Sequence, residues 1–139
     1  MDTFNFNLFF FSSVFLTKML GVQLDTFDFE GVKTWAHKLV NGKKTYINIF
    51  EEKYLLAPLN YFEEHWALLV VCVKEETIVY MDSGGRHSKE DNAIRGIKRY
   101  LAEVATERDL EETKWEVVKN PEGTIFQVST TLIFDQSFN

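Results

Sequence analysis

Two apolar runs near the middle of the chain carry its clearest strand pattern. Residues 65–73 (HWALLVVCV) and 77–82 (TIVYMD) are rich in β-branched and aromatic side chains, and a short polar stretch separates them. This pattern predicts a β-hairpin, with its turn either at Lys74-Glu75 or at Glu75-Glu76.

Helical periodicity occurs in two segments. Residues 88–109 place their apolar side chains on one face and open with a Ser-x-x-Asp capping pattern, which predicts the longest helix. Residues 28–42 place the apolar side chains of Val32, Trp35, Ala36 and Leu39 at i, i+3, i+4 and i+7. They end on Asn41-Gly42, which predicts a second helix with a C-terminal stop signal.

The remaining patterned segments are shorter. Residues 45–50 (TYINIF), 53–60 (KYLLAPLN) and 113–118 (TKWEVV) predict strands, and Pro58 places the second of them at a sheet edge or strand end. The phenylalanine-rich start, 4–20, predicts a buried helix or loop that covers a core. Strands joined by hairpins around one long helix indicate an α+β fold.

Composition narrows the classes of function. The 139 residues suit one domain, with 45% hydrophobic side chains and a net charge of −6, so nucleic-acid binding has no electrostatic support. The apolar start is too short for a membrane span and lacks a basic leader, so we expect no membrane association. The single cysteine excludes an intrachain disulfide and favours an intracellular location, nucleus or cytoplasm. The three histidines lack metal-ligand spacing, so no metal is expected.

The ends of the predicted hairpin carry the candidate chemistry. With either turn position, His65 and Asp82 lie on one face of the sheet at the same open end, whereas a three-residue turn would separate them. A carboxylate beside an imidazole fixes its tautomer and stabilises the imidazolium that forms when it accepts a proton. The alternative is a surface histidine and a turn aspartate without a joint role.

The same residues carry a resemblance to a known family. The run from His65-Trp66 to Asp82-Ser83 resembles the SENP/Ulp family of SUMO-type ubiquitin-like-protein proteases, which place the catalytic Asp 17 residues after the His. The resemblance covers roughly residues 4–123 and includes the phenylalanine-rich start and the segment around Trp35. It implies a papain-like cysteine proteinase fold, a central mixed sheet with flanking helices, here truncated at both ends.

The resemblance also implies roles for individual residues. His65 would be the general base, Asp82 its orienting carboxylate, and Trp66 the cover of the channel for the Gly-Gly tail of the substrate. Only glycines pass under a flat indole without a side-chain clash. The alternative for Trp66 is an aromatic side chain that packs on the core. The implied reaction is cysteine-dependent hydrolysis after the C-terminal Gly-Gly of SUMO or a related modifier, without a cofactor.

The family's nucleophile motif, Gln-x-Asn/Asp-Gly-x-Asp-Cys-Gly, is not found in the sequence. Gln127 is its last trace and would help to bind the oxyanion, but Ile133 stands where the cysteine belongs, and residues 128–139 are unrelated to the motif. Cys72 lies mid-strand on the face opposite His65, as inert core cysteines do. We therefore expect residues 1–139 to be a partial catalytic domain that is inactive as written.

Two other interpretations stay open at this stage. One is a non-catalytic pseudoprotease that still binds a ubiquitin-like protein. The other is an unrelated α+β domain whose hairpin ends are accidental. A truncated gene model or a splice form would explain the loss of similarity near Gln127; a transcript that continues through an Asp-Cys-Gly would support this explanation, and one that ends at Asn139 would reject it.

Overall fold

The computed structural model describes residues 7–61, 65–85 and 87–121. In this part of the chain, five strands form one sheet, two strands form a separate hairpin, and two α-helices pack beside the larger sheet. The elements are β1 (Leu8–Phe10), α1 (Phe15–Leu20), β2 (His37–Val40), β3 (Lys43–Tyr46), β4 (Tyr54–Tyr61), β5 (His65–Cys72), β6 (Thr77–Met81), α2 (Glu90–Glu107) and β7 (Glu116–Lys119).

The larger sheet is mixed, with the strand order β1-β4-β5-β6-β7. The three central strands pair in antiparallel fashion, whereas β1 and β7 lie parallel to their neighbours at the two edges. The predicted α+β class is thus confirmed. Pro58 lies in β4 beyond the three residues that pair with β1, so its missing N–H faces a side without a partner strand in the described residues.

The register of the central hairpin follows the first of the two predicted turns. Cys72 pairs with Thr77 and Leu68 with Met81, which is the register of a turn at Lys74-Glu75. Glu76 closes the turn with a φ of 54° and donates its N–H to the carbonyl of Val73. Because the turn has two residues, the side chains of His65, at the open end of β5, and Asp82, just after β6, lie on one face of the sheet.

That face is covered by both helices. Phe15, Leu16, Met19 and Leu20 of α1 are buried against it, so this part of the phenylalanine-rich start covers the core as expected, whereas Leu8–Phe10 forms the edge strand β1 instead of a helix or loop. The Phe15 ring stacks on Phe11 and meets the edge of Tyr100 from α2. Neither described helix is long and apolar enough to cross a membrane.

The helix predicted over residues 28–42 is wrong. Its last part is the β2–β3 hairpin, with Val40 paired to Lys43 and Asn41-Gly42 as the two-residue loop. Their φ angles of 53° and 77° are the left-handed values that a type I′ turn needs. Asn-Gly is the strongest short hairpin signal, and it outweighs four apolar positions at helical spacing.

Other boundaries also differ from the prediction; the strand predicted over residues 113–118, for example, is observed at Glu116–Lys119. The strand predicted over residues 45–50 ends at Tyr46, and Ile49–Glu51 forms a 3-10 turn. Helix α2 begins at Glu90 without a side-chain cap from Ser88. Instead, the Glu90 carboxylate accepts a hydrogen bond from the backbone N–H of His87 at 2.9 Å. The Glu90 side chain thus accepts a backbone N–H from three residues earlier, which is one of the two hydrogen bonds of a capping box, and so stabilises the first turn of the helix.

Candidate active site

His65 and Asp82 meet at the open end of the central hairpin. β5 begins at His65, and Asp82 directly follows the last residue of β6, so the sheet register brings them together. His65 Nε2 lies 3.1 Å from Asp82 Oδ2. The predicted proximity of the two side chains is confirmed, and their role as base and orienting group stays a prediction.

The Asp82 carboxylate is almost entirely buried, with 1% of its side chain exposed. Oδ2 accepts hydrogen bonds from His65 and the Tyr80 hydroxyl, and Oδ1 accepts one from the Gly84 N–H at 2.8 Å. Burial by itself raises the pKa of Asp82, but these three donors favour the charged form and lower the pKa below its ordinary value. Asp82 is therefore a charged, fixed acceptor at neutral pH.

This acceptor determines which nitrogen of His65 is available. An ionised carboxylate can only accept, so a neutral imidazole bonded through Nε2 carries its proton there. Nδ1 then keeps its lone pair, and no described residue forms a hydrogen bond with it. About a third of the His65 side chain is exposed. The geometry thus presents a base at Nδ1 with a buried negative charge behind it.

Two tyrosines extend the hydrogen-bond chain into the core. Tyr61 and Tyr80 have their hydroxyl oxygens 2.6 Å apart. Tyr80 uses its only proton toward Asp82, so Tyr61 must donate to Tyr80. Burial raises the pKa of Tyr61 to about 12 and also raises that of Tyr80, so both are neutral donors. In this series of hydrogen bonds, Tyr61 donates to Tyr80, and both Tyr80 and His65 donate to the Asp82 carboxylate.

A second imidazole borders the site. The His87 ring stacks on Tyr61 with centroids 3.7 Å apart and planes 8° apart, and its centroid is 5.5 Å from that of His65. His87 Nδ1 accepts the N–H of Lys89 at 3.0 Å, which leaves the proton of a neutral ring on Nε2. His87 thus forms part of the site wall; sequence reasoning assigned it no role because Tyr61 is 26 positions away along the chain.

The loop after Asp82 depends on its two glycines. A Cβ on Gly84 would stand 3.3 Å from Asp82 Oδ1, too close for the hydrogen bond from the Gly84 N–H to keep its geometry easily. Gly85 has a φ of 92°, which favours glycine, and its N–H bonds to the Asp82 carbonyl. The tight turn holds a backbone donor against the carboxylate.

Trp66 is an exposed side chain that directly follows His65 in the chain. It is the second residue of β5 and is 53% exposed, so the alternative of an aromatic packed on the core is wrong. A half-exposed indole at the end of a strand is suited to contact a partner. Gln127, the candidate oxyanion residue, lies outside the described residues.

Cys72 has the properties expected of an inert thiol. It is 6% exposed and packs with Leu56, Val70 and Val79 on the face of the sheet opposite His65. Burial, with a smaller contribution from Glu75, raises its pKa to about 11. At neutral pH it is a protonated thiol on the wrong side of the sheet, so His65 cannot activate it.

This assignment predicts slow alkylation of Cys72. At pH 7 the folded chain should react with iodoacetamide at least ~10-fold more slowly than the same chain in denaturant, because both burial and the raised pKa reduce accessible thiolate. Mass spectrometry of timed samples measures both rates. A folded chain that reacts as fast as the unfolded one would show that Cys72 is open to solvent.

The described residues contain no cluster of potential metal ligands. No group of three or more His, Cys, Asp or Glu side chains there is placed to hold a metal ion. The His65, Asp82 and His87 cluster is accounted for by hydrogen bonds and ring stacking.

Comparison with known proteins agrees with this geometry. Residues 2–130 match the model of the Ulp1 protease family, C-terminal catalytic domain. Sentrin-specific protease 3 of Mus musculus and of Homo sapiens are each 32% identical over 109 residues, which is 78% of this chain. The aligned part is 16% of those relatives, so the chain spans a small share of their length.

Solved structures show the same fold. The SUMO protease Ulp1 with its catalytic cysteine oxidized to a sulfonic acid superposes with a TM-score of 0.62 at 21% identity, over 94% of this chain and 58% of that one. The C-terminal Ulp1 protease domain in complex with Smt3, the yeast ortholog of SUMO, gives 0.63 at 22% identity, over 91% and 56%. The chain thus covers somewhat more than half of the solved domain.

Proposed function

The chain belongs to the Ulp1 protease family, and we propose that it supplies the base and the orienting carboxylate of a cysteine-type peptidase site. The observation that carries this proposal is the 3.1 Å contact between His65 and a buried, charged Asp82. Tyr80 and Gly84 already donate hydrogen bonds to the Asp82 carboxylate, so its burial does not by itself require an imidazole beside it.

In the proposed mechanism, His65 Nδ1 takes the proton of an attacking thiol. The imidazolium that forms keeps its Nε2–H bond to Asp82, whose charge is held by Tyr80 and Gly84 and stabilises the positive ring. The thiolate attacks a peptide or isopeptide carbonyl, and the C–N bond breaks as the imidazolium gives its proton to the departing amine. Water then hydrolyses the thioester that remains, which releases the carboxylic acid and restores the thiol. The thiol is not Cys72, the single cysteine of these 139 residues, because it lies on the opposite face.

We propose SUMO or a related ubiquitin-like modifier, and its conjugates, as the substrate. The proposal is supported by family membership and by the solved Ulp1 complex with the yeast ortholog of SUMO. The exposed indole of Trp66, which directly follows His65 in β5, offers a flat surface under which a Gly-Gly tail can pass. We further propose an intracellular location, in the nucleus or cytoplasm, which fits the single buried cysteine.

A binding measurement tests this proposal. We expect immobilised chain to retain mature SUMO ending in Gly-Gly, and W66A to weaken retention by at least ~10-fold, since buried aromatic anchors dominate such interfaces. L39A is the matched control, because Leu39 is also a large exposed apolar side chain (73%) but lies in the β2–β3 hairpin. Ubiquitin and other small modifiers, run in parallel, identify the preferred partner.

Equal and negligible retention of all modifiers would reject the substrate proposal. Equal losses for W66A and L39A would reject the assignment of Trp66 to the tail channel. Retention that depends on Trp66 without any cleavage is also expected of the second candidate function, a non-catalytic binder of a ubiquitin-like protein, because neither candidate predicts cleavage by a chain whose one thiol is buried. The observation in favour of that candidate is that the single cysteine of the sequence is buried away from the base.

A further inference from the structure

One side chain far from Asp82 in sequence holds the segment that carries it. Asn120 directly follows β7, and its Oδ1 accepts the backbone N–H of Asp82 at 2.7 Å. Its Nδ2 donates to the carbonyl of Gly85 at 2.8 Å. Its own backbone N–H donates to the Tyr80 carbonyl at 2.7 Å. One residue thereby contacts the end of β6, Asp82 itself and the end of the following turn.

The backbone of Asn120 is shaped for this reach. β7 runs parallel to β6, and their ladder stops where Lys119 pairs with Tyr80. Asn120 then turns with a φ of 45°, a left-handed value that Asn adopts more readily than most residues. The turn carries the amide side chain to the Asp82–Gly85 segment beyond the last pair, where the Asp82 N–H is out of the β5 ladder.

We propose that Asn120 is a positioning residue that sets where the Asp82 carboxylate meets His65. Its amide fixes the Asp82 backbone at one end of the turn and Gly85 at the other. The Gly84 N–H between them is then aimed at Oδ1, and Oδ2 is left to Tyr80 and His65. The catalytic meaning of this role depends on the proposed function, whereas the positioning itself is a property of the folded chain.

A simpler role for Asn120 would be to anchor the start of α2, and the two roles differ in what they change. An anchor affects the stability of the loop and helix alone. A positioning residue also determines which imidazole nitrogen of His65 carries the proton, because the tautomer is set by the carboxylate opposite Nε2. The tautomer is therefore the readout that separates them.

The test is heteronuclear NMR of the whole 139-residue chain at pH 7. N120G keeps the left-handed backbone and the N–H to Tyr80 but removes both side-chain bonds. N41G is the matched control: it makes the same change at another left-handed Asn (φ 53°), in the β2–β3 loop. N120D keeps the acceptor for the Asp82 N–H and serves as the conservative variant.

We expect N120G to speed amide exchange at Asp82 and Gly84 by at least ~10-fold. Its His65 ring nitrogens should shift from a single Nε2–H tautomer toward a mixture. N41G should change neither readout, and N120D should retain protection at the Asp82 amide. A His65 ring that keeps its single tautomer in N120G would overturn the proposal, and so would unchanged exchange at Asp82. A failure to bind SUMO would count against the proposed function and leave these readouts intact.

Discussion

Incubated with a SUMO precursor extended beyond its Gly-Gly, the 139-residue chain should release product no faster than buffer. The base and its carboxylate are in place, but members of a catalytic unit act together, and loss of the nucleophile alone costs on the order of 10⁶ in kcat. Cys72 does not replace it, because it is buried, protonated and on the far face of the sheet. Gel and mass analysis of the precursor measures the cleavage.

The matched control is C72A, which should behave as the unmodified chain does in this assay. An active SUMO protease in a parallel reaction shows that the precursor is cleavable. Turnover by the unmodified chain that disappears in C72A would contradict both the buried position of Cys72 and the assignment of the nucleophile to other residues. Turnover that survives in C72A would show that the chemistry does not use a thiol of this chain.

The central hairpin could be predicted from the sequence because each of its signals is local. Two apolar runs around a short polar turn predict the strands. A two-residue turn between them then places His65 and Asp82 on one face of the sheet without further information. The same parity placed Cys72 on the opposite face, which the structure confirms. The family resemblance rests on these same residues, and it supplied the predicted roles of His65 as general base and Asp82 as orienting carboxylate.

The support around Asp82 could not be predicted, because it comes from distant parts of the chain. Asn120 is 38 positions away and reaches Asp82 only because β7 joins the sheet parallel to β6, a pairing that leaves no short-range signal. Tyr61 and His87 meet through the β4–β5 pairing and the start of α2. Such contacts depend on strand order, which the pattern of apolar residues does not specify.

The failed helix over residues 28–42 has a different cause. Four apolar side chains at helical spacing fitted an amphipathic helix, but Leu39 is 73% exposed in β2 and only Val32 and Ala36 of that set are buried. The Asn41-Gly42 signal has two meanings, helix stop and hairpin loop. The strand-forming residues on both sides of it decide for the hairpin.

A second large effect is expected from D82N, which should lower the free energy of unfolding by about 3 kcal/mol at pH 7. An amide of the same shape replaces a charged acceptor with an N–H₂ donor on one side. Whichever way the amide is turned, its N–H₂ faces a former donor: the Gly84 N–H at one oxygen position, or His65 and Tyr80 at the other. Buried hydrogen bonds to a charged group contribute about 1.5–3 kcal/mol each, and an unpaired donor adds a desolvation cost. Urea unfolding followed by tryptophan fluorescence measures the difference.

Y80F tests the same network from the other side. It removes the donor to Asp82 and leaves the Tyr61 hydroxyl without its acceptor, so it should destabilise the fold by about 1–2 kcal/mol. Y100F is the matched control, since Tyr100 is as deeply buried but has no hydrogen bond to a described residue. Equal effects of Y80F and Y100F would show that only packing matters at Tyr80.

The pH dependence identifies the carboxylate as the source of the D82N effect. The pKa of Asp82 is lowered by folding, so its contribution is complete above the unfolded value of about 3.9 and is lost as pH falls through the lower folded value. Asparagine does not titrate, so the Asp82 charge should make its full contribution to the difference between the unmodified chain and D82N at pH 5 and above. Below about pH 4 it should shrink steadily, as protonation removes the charge that His65, Tyr80 and Gly84 stabilise. A difference that stays the same at pH 3 and at pH 7 would mean that the charge of Asp82 does not stabilise the fold, and the network would then have to be explained by shape alone.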